Sequence, residues 1–199
     1  MQIIIDATWR KLEDSINLLI SEPNRTHIQS FLSSNENVLK VARGATNNHQ
    51  IWVGGWWDHT ADGLSLAPAL YSFLSQLRPL PFSVESLALS FFGHDLEKPW
   101  AYKEVDGKRT RKKIFTKGYS QSFREKLLAD NGINLSELEI NGMRYAEGEL
   151  DDYTNERRVM SELAGVTHML DTASARVFHN YPKAQGDEWP GASQVNFNS

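Results

Sequence analysis

A chain of 199 residues, 40% hydrophobic and 23% charged, suits one globular domain with a single sizeable core. Its formal charge of −4 excludes a surface built throughout for nucleic acid and leaves room for a local basic patch. It contains no cysteine, which excludes disulfides and thiolate metal sites, so any metal must be held by His, Asp or Glu.

The run "MQIII" before Asp6 is too short for a secretory signal, and no stretch approaches the roughly 18 apolar residues of a membrane span, which points to the cytoplasm. From Thr8 to Ile20, Trp9, Leu12, Ile16, Leu19 and Ile20 recur at helical spacing until "SEPN" breaks the pattern. Shorter helices are expected over Arg25–Leu32 and Val38–Ala42, followed by the polar stretch "RGATNNHQ". After a Gly54-Gly55 turn, His59 to Leu77 carries an apolar face of Leu64, Leu66, Leu70, Phe73, Leu74 and Leu77, with Pro68 as a point of kinking. His59 then falls in the first turn. "RPLPF" separates this helix from Val84–Asp95, which is apolar on most sides and is therefore expected at the centre.

Residues 100–116 break the helical rhythm, and Asp106-Gly107 is a two-residue hairpin signal, so a small β-hairpin arm is expected there. Helices resume in "SFREKLLADNG" and "NLSELEINGMRY", and a long one is expected from Asn155 to Phe178, with Val159, Leu163, Val166, Leu170, Ser174 and Val177 on one face. The expected architecture is an all-α bundle over 1–182, with a polar tail at 183–199 that Trp189 could anchor.

Chemistry is suggested by the company certain residues keep. His59 opens one helix, His94-Asp95 closes a nearly all-apolar one, and Asp171 lies amid the long helix beside Leu170. A buried carboxylate is costly unless a cation neutralises it. Three helices could bring His59, His94, Asp95 and Asp171 together as two imidazoles and two carboxylates, a set that suits a divalent transition ion. Each residue alone has an ordinary explanation: a helix-terminal His59 bonded to backbone, a chance His-Asp pair before the Pro99 stop, or Asp171 paired with Arg176.

Three segments in order, "HQIWVGGWWDHT", "FFGHDLEKP" and "HMLDTASAR", resemble the HD-domain superfamily of metal-dependent phosphohydrolases, whose ligands run H, HD, D. The likeness covers about residues 40–180. The first segment resembles the "HH….GGLLxHT" opening of a branch that includes a bacterial 3′-to-5′ exoribonuclease, with His49 at the place of its first histidine. The resemblance implies an HD-type helical bundle with metal held by His59, His94, Asp95 and Asp171. The ion would be one divalent transition metal, with manganese, iron, cobalt, nickel and zinc not distinguished. It also implies that Asp95 steers the proton of the attacking water, that Lys98 and His49 offset phosphate charge, and that His168 orients water or phosphate. His168 reads equally as a core histidine and Lys98 as a solvated helix end.

The chain departs from the superfamily in three places. The interval before Asp171 holds only His168, which favours a single metal, although Glu147 and Glu149 could supply oxygen ligands for a second. Deoxynucleoside monophosphatases of the superfamily tend to have glutamate where Lys98 stands. The aliphatic pair after the glycines is replaced by Trp56-Trp57, one expected in the core and the other as a wall for a base. The expected function is hydrolysis of a nucleotide phosphate ester or anhydride. The alternatives are a 3′-to-5′ exonuclease, a cyclic-nucleotide phosphodiesterase, or a non-catalytic nucleotide-binding module. Lys108, Arg109, Arg111, Lys112, Lys113 and Lys117 form a basic run that either faces solvent or attracts a polyanion, a nucleoside triphosphate or a single strand.

Overall fold

The computed structural model of the protein describes residues 8–45, 49–105 and 108–179. The Asp106-Gly107 turn and the tail 183–199 with Trp189 lie outside the described residues. The architecture is all-α with one two-stranded hairpin. In chain order the elements are α1 (Leu12–Leu19), α2 (Asn24–Ser34), α3 (Glu36–Leu39), α4 (Gly55–Leu77), α5 (Val84–Gly93), α6 (Lys98–Ala101), β1 (Tyr102–Val105), β2 (Lys108–Arg111), α7 (Lys117–Asp130), α8 (Glu137–Arg144) and α9 (Glu162–Thr172). A π-helical turn, Ala173–Val177, continues α9. No helix among the described residues is long and apolar enough to cross a membrane.

Helix α5 is the axis of the fold, in contact with α1, α4, α8 and α9. Its Leu87, Ala88, Leu89, Phe91 and Phe92 are all buried, as expected of a helix apolar on most sides. Around it Leu12 and Ile16 of α1, Trp56 and Leu64 of α4, Met143 of α8 and Leu163 and Leu170 of α9 complete one core. The hairpin pairs antiparallel with Val105 opposite Lys108, the register that a two-residue connection gives.

Several boundaries differ from expectation. The first helix starts at Leu12 because the chain before it is tied to α4: the Trp9 indole donates to Asp62 Oδ1 at 3.0 Å and the Arg10 amide to Ser65 Oγ at 2.8 Å. The third helix is one turn, Glu36–Leu39. Helix α4 begins at Gly55, so His59 lies a full turn inside it, and it continues through Pro68 to Leu77. The last helix starts seven residues later than expected. Glu149 Oε1 accepts the amides of Val159 at 2.8 Å and Met160 at 2.9 Å, and Ser161 caps the helix by accepting the Ala164 amide. Val159 therefore precedes the helix, and Val177 of the expected inner face is exposed, while Leu163, Val166, Leu170 and Ser174 are buried.

Candidate metal centre

Two glycines determine how closely the site can assemble. Gly54 caps α4 with φ 85°, and a Cβ on Gly55 would lie 1.8 Å from the Gln50 carbonyl oxygen, so the loop carrying His49 and Gln50 closes directly onto the first turn of α4. One turn beyond His59, a Cβ on Gly63 would lie 2.0 Å from the Phe91 ring. Only a residue without a side chain lets α4 and α5 approach this closely, and His59 then meets His94 at the end of α5.

His59 Nε2 and His94 Nε2 are 3.2 Å apart. Asp171 Oδ1 lies 3.3 Å from His59 Nε2 and 3.4 Å from His94 Nε2. Asp95 Oδ2 lies 3.6 Å and 3.3 Å from the same two nitrogens. Ligands bound to one ion at about 2.1 Å sit roughly 3.0–3.4 Å from their neighbours in octahedral or tetrahedral geometry. The ligand atoms of His59, His94 and Asp95 all lie within 4.8 Å of one another, and this buried group could hold a metal ion. Asp171 faces the imidazoles from α9 rather than pairing with Arg176. Its side chain keeps 16% exposure against 3% for Asp95, so solvent approaches the cluster from the α9 side.

At His94 the Nδ1 partner fixes the direction of the Nε2 lone pair. His94 Nδ1–H donates to the Phe91 carbonyl at 2.6 Å, a group that can only accept. His59 Nδ1 meets Ser174 Oγ at 2.9 Å. With both Nδ1–H groups directed outward, two neutral imidazoles would aim their Nε2 lone pairs at each other and at two carboxylates. Such a group of acceptors is stable only around positive charge. Without a metal that charge is a proton: burial by itself would lower His94, but the Asp95 and Asp171 carboxylates outweigh it and carry it up to about 10. Burial holds His59 below its usual range. Burial would raise Asp171, but hydrogen bonds from the two histidines hold it well below the usual carboxylate range.

The turn between α5 and α6 that carries His94 and Asp95 is gripped from three elements. The buried Trp56 indole on α4 donates to the Asp95 carbonyl at 3.1 Å. Arg124 on α7 donates to the His94 carbonyl and reaches Glu97 Oε2 at 3.4 Å. Arg111 on β2 reaches Glu97 Oε1 at 3.2 Å and Ser120 Oγ at 2.8 Å. Lys98 is buried and ion-paired with Asp95 Oδ2, not solvated. Burial would lower its pKa, but Asp95, with smaller contributions from Glu147 and Asp171, raises it, so it is a cation at neutral pH.

The other candidates separate. The His49 ring centroid lies 5.1 Å from that of His59, beside the cluster. Burial first, then the charges of His59 and Lys98, lowers His49 to about 4, so it is neutral at pH 7. His168 donates from Nδ1 to the Ala146 carbonyl at 2.6 Å, fastening α9 to the loop after α8. Glu149 is committed to the amides before α9, while Glu147 is exposed and acts electrostatically on Lys98. Trp57 packs at the core edge with Lys40 Nζ 5.5 Å from its ring centroid. In the basic run, Arg109 donates to the carbonyls of Ala45 and Arg43, Arg111 binds Glu97, Lys112 donates to the Trp100 carbonyl and Lys117 pairs with Asp152. These contacts commit much of the run to holding the arm in place.

Residues that the sequence reading did not single out as polar partners surround His59. Gln50 is wholly buried at φ 38°; its Nε2 lies 3.1 Å from the Ser174 carbonyl, and its Oε1 faces His49 Nδ1 at 2.6 Å. Asp58 accepts from the Trp52 indole at 2.6 Å, and Asp62 accepts from Trp9. Two carboxylates one turn apart flanking His59 on a helix with a buried face were the available signal. Gln50 carried none.

Burial pushes Asp58 up to about 6 and Asp62 up to about 7. A carboxyl raised on folding contributes stability below its unfolded value near 4 and loses it as pH rises through the folded value. Asp62→Asn is therefore expected to flatten the fall in stability between about pH 4 and 7, with a relative gain on the order of 2–4 kcal/mol above pH 7. Urea denaturation at each pH measures it; an unchanged slope would refute the ionised burial of Asp62.

No family model, curated protein or solved structure matches this chain.

Proposed function

We propose that this protein is a metal-dependent phosphohydrolase that cleaves a phosphate ester or anhydride of a nucleotide. The observation that carries this reading is the set of four acceptor atoms from His59, His94, Asp95 and Asp171 turned toward one another, with an approach open beside Asp171. Two imidazoles and two carboxylates suit one divalent transition ion. When bound, such an ion supplies Lewis acidity to a water and to a phosphoryl oxygen.

The protein's own residues do the rest. His59, His94, Asp95 and Asp171 hold the ion, and Lys98, kept cationic beside Asp95, offsets negative charge on the phosphate. Neutral His49 lies at the rim of the cluster. Gln50 Nε2 faces the Ser174 carbonyl, so Gln50 Oε1 accepts the His49 Nδ1 proton and the His49 Nε2 lone pair remains available as an acceptor. Asp95 also orients the proton of the attacking water. The Arg109 and Arg111 contacts favour a mononucleotide over a strand, since these cations hold the arm to its own domain.

The test is metal analysis of the purified protein, followed by a screen of nucleoside mono-, di- and triphosphates, cyclic nucleotides and short oligonucleotides with manganese, cobalt, nickel and zinc. Release of phosphate, pyrophosphate or triphosphate from a mononucleotide is expected, with a weak salt dependence. A steep loss of activity with salt would shift the assignment to a strand. Thermal stabilisation by nucleotides without turnover would reduce the protein to a binding module.

A further inference from the structure

Ser174 sits on the π-helical turn after α9, wholly buried, between α4 and the Gln50 loop. Its Oγ lies 2.9 Å from His59 Nδ1, 3.2 Å from Gln50 Nε2 and 3.4 Å from Asp62 Oδ2. A serine hydroxyl has one proton and two acceptor positions. Gln50 Nε2 is a donor, because the Ser174 carbonyl it also faces can only accept. Asp62 as a carboxylate can only accept. The arrangement that leaves the His59 Nε2 lone pair facing the cluster has Oγ accept from Gln50 and from His59 Nδ1–H and give its proton to Asp62 Oδ2, which lies slightly nearer than the His59 carbonyl at 3.5 Å.

We propose that Asp62, acting through Ser174, is a positioning device for His59: it holds the imidazole as the Nδ1–H tautomer and so keeps the Nε2 lone pair aimed at the cluster. Histidines that ligate metals characteristically donate their second N–H to a carboxylate, carbonyl or water, and here a hydroxyl relays the carboxylate. The α-to-π change puts Ser174 at this point, since π-turns inside helices shift the register of the residues that follow. The effect on metal affinity rests on the metal-centre reading above; the tautomer does not.

The experiment uses the full chain at pH 8 and compares wild type with Ser174→Ala and Asp62→Asn. Long-range proton–nitrogen NMR of the metal-free protein reads the His59 tautomer, and titration with manganese or cobalt reads affinity. The wild type is expected to show His59 protonated at Nδ1. Both variants are expected to populate the Nε2–H tautomer and to bind metal roughly 10- to 100-fold more weakly. A helical circular dichroism spectrum unchanged from wild type separates this from misfolding, and Asp62→Asn keeps the shape of the side chain should Ser174→Ala perturb packing. An unchanged tautomer in both variants overturns the proposal, whatever the metal result. A shifted tautomer in a protein that binds no metal supports it and removes the metal-centre reading instead.

Discussion

Replacing His94 with alanine is expected to weaken divalent-ion binding by more than about 100-fold, beyond the 10- to 100-fold typical of losing an outer partner of a ligand, and to abolish the proposed hydrolysis. His94 Nε2 lies within 3.4 Å of His59, Asp95 and Asp171, so its loss opens the cluster at a point shared by all three. The metal-free protein should suffer as well. In wild type the His94 cation neutralises the two carboxylates, and without it Asp95 retains Lys98 at contact distance while Asp171 keeps His59 and only the weaker influence of Lys98. Removing one partner from a buried ionic group destabilises by about 3–5 kcal/mol. Thermal unfolding with and without added manganese, cobalt, nickel or zinc separates the two effects. Wild type should gain about 2.7 kcal/mol at a metal concentration near 100 Kd, and His94→Ala essentially nothing. Equal metal-induced shifts in both proteins would contradict a centre built on His94.

Gly63→Ala is expected to produce the largest response from the smallest chemical change. The added methyl would lie 2.0 Å from Cε1 and Cζ of Phe91. Phe91 is fully buried, and its ring centroid lies 4.5 Å from that of His94 and 5.6 Å from that of His59, so any shift of the ring is toward the imidazoles or the core. Either α4 separates from α5 or the Phe91 ring presses on both imidazoles. Overpacking of this kind costs about 1–3 kcal/mol, and the upper end corresponds to a fall of roughly 6–12 °C in Tm for a domain of this size. Because the same contact sets the distance between His59 and His94, metal affinity should fall with stability. A variant with wild-type Tm and wild-type metal binding would show that the close approach of the two helices does not govern the site.

The helical architecture, the central position of α5 and the hairpin were legible in the sequence, because each depends on periodicity or turn chemistry within a few residues. Boundaries were misread where a distant group intervened. The last helix begins at Glu162 because Glu149 claims the amides of Val159 and Met160 and Ser161 supplies the cap. The basic run at 108–117 read as facing solvent or attracting a polyanion, yet Arg111 reaches Glu97 and Arg109 reaches the carbonyls of residues 43 and 45.

The sequence by itself determined the chemistry available: no thiols, and two histidines and two aspartates in apolar settings. Only the tertiary structure decided which of these groups meet, which cations are committed to the fold, and that Gln50, Asp62 and Ser174 close around His59. The physical reason is range. Helix and turn propensities act between neighbours, whereas the hydrogen bond of Gln50 to Ser174 spans 124 positions and forms only when α4, the 49–50 loop and the turn after α9 pack together.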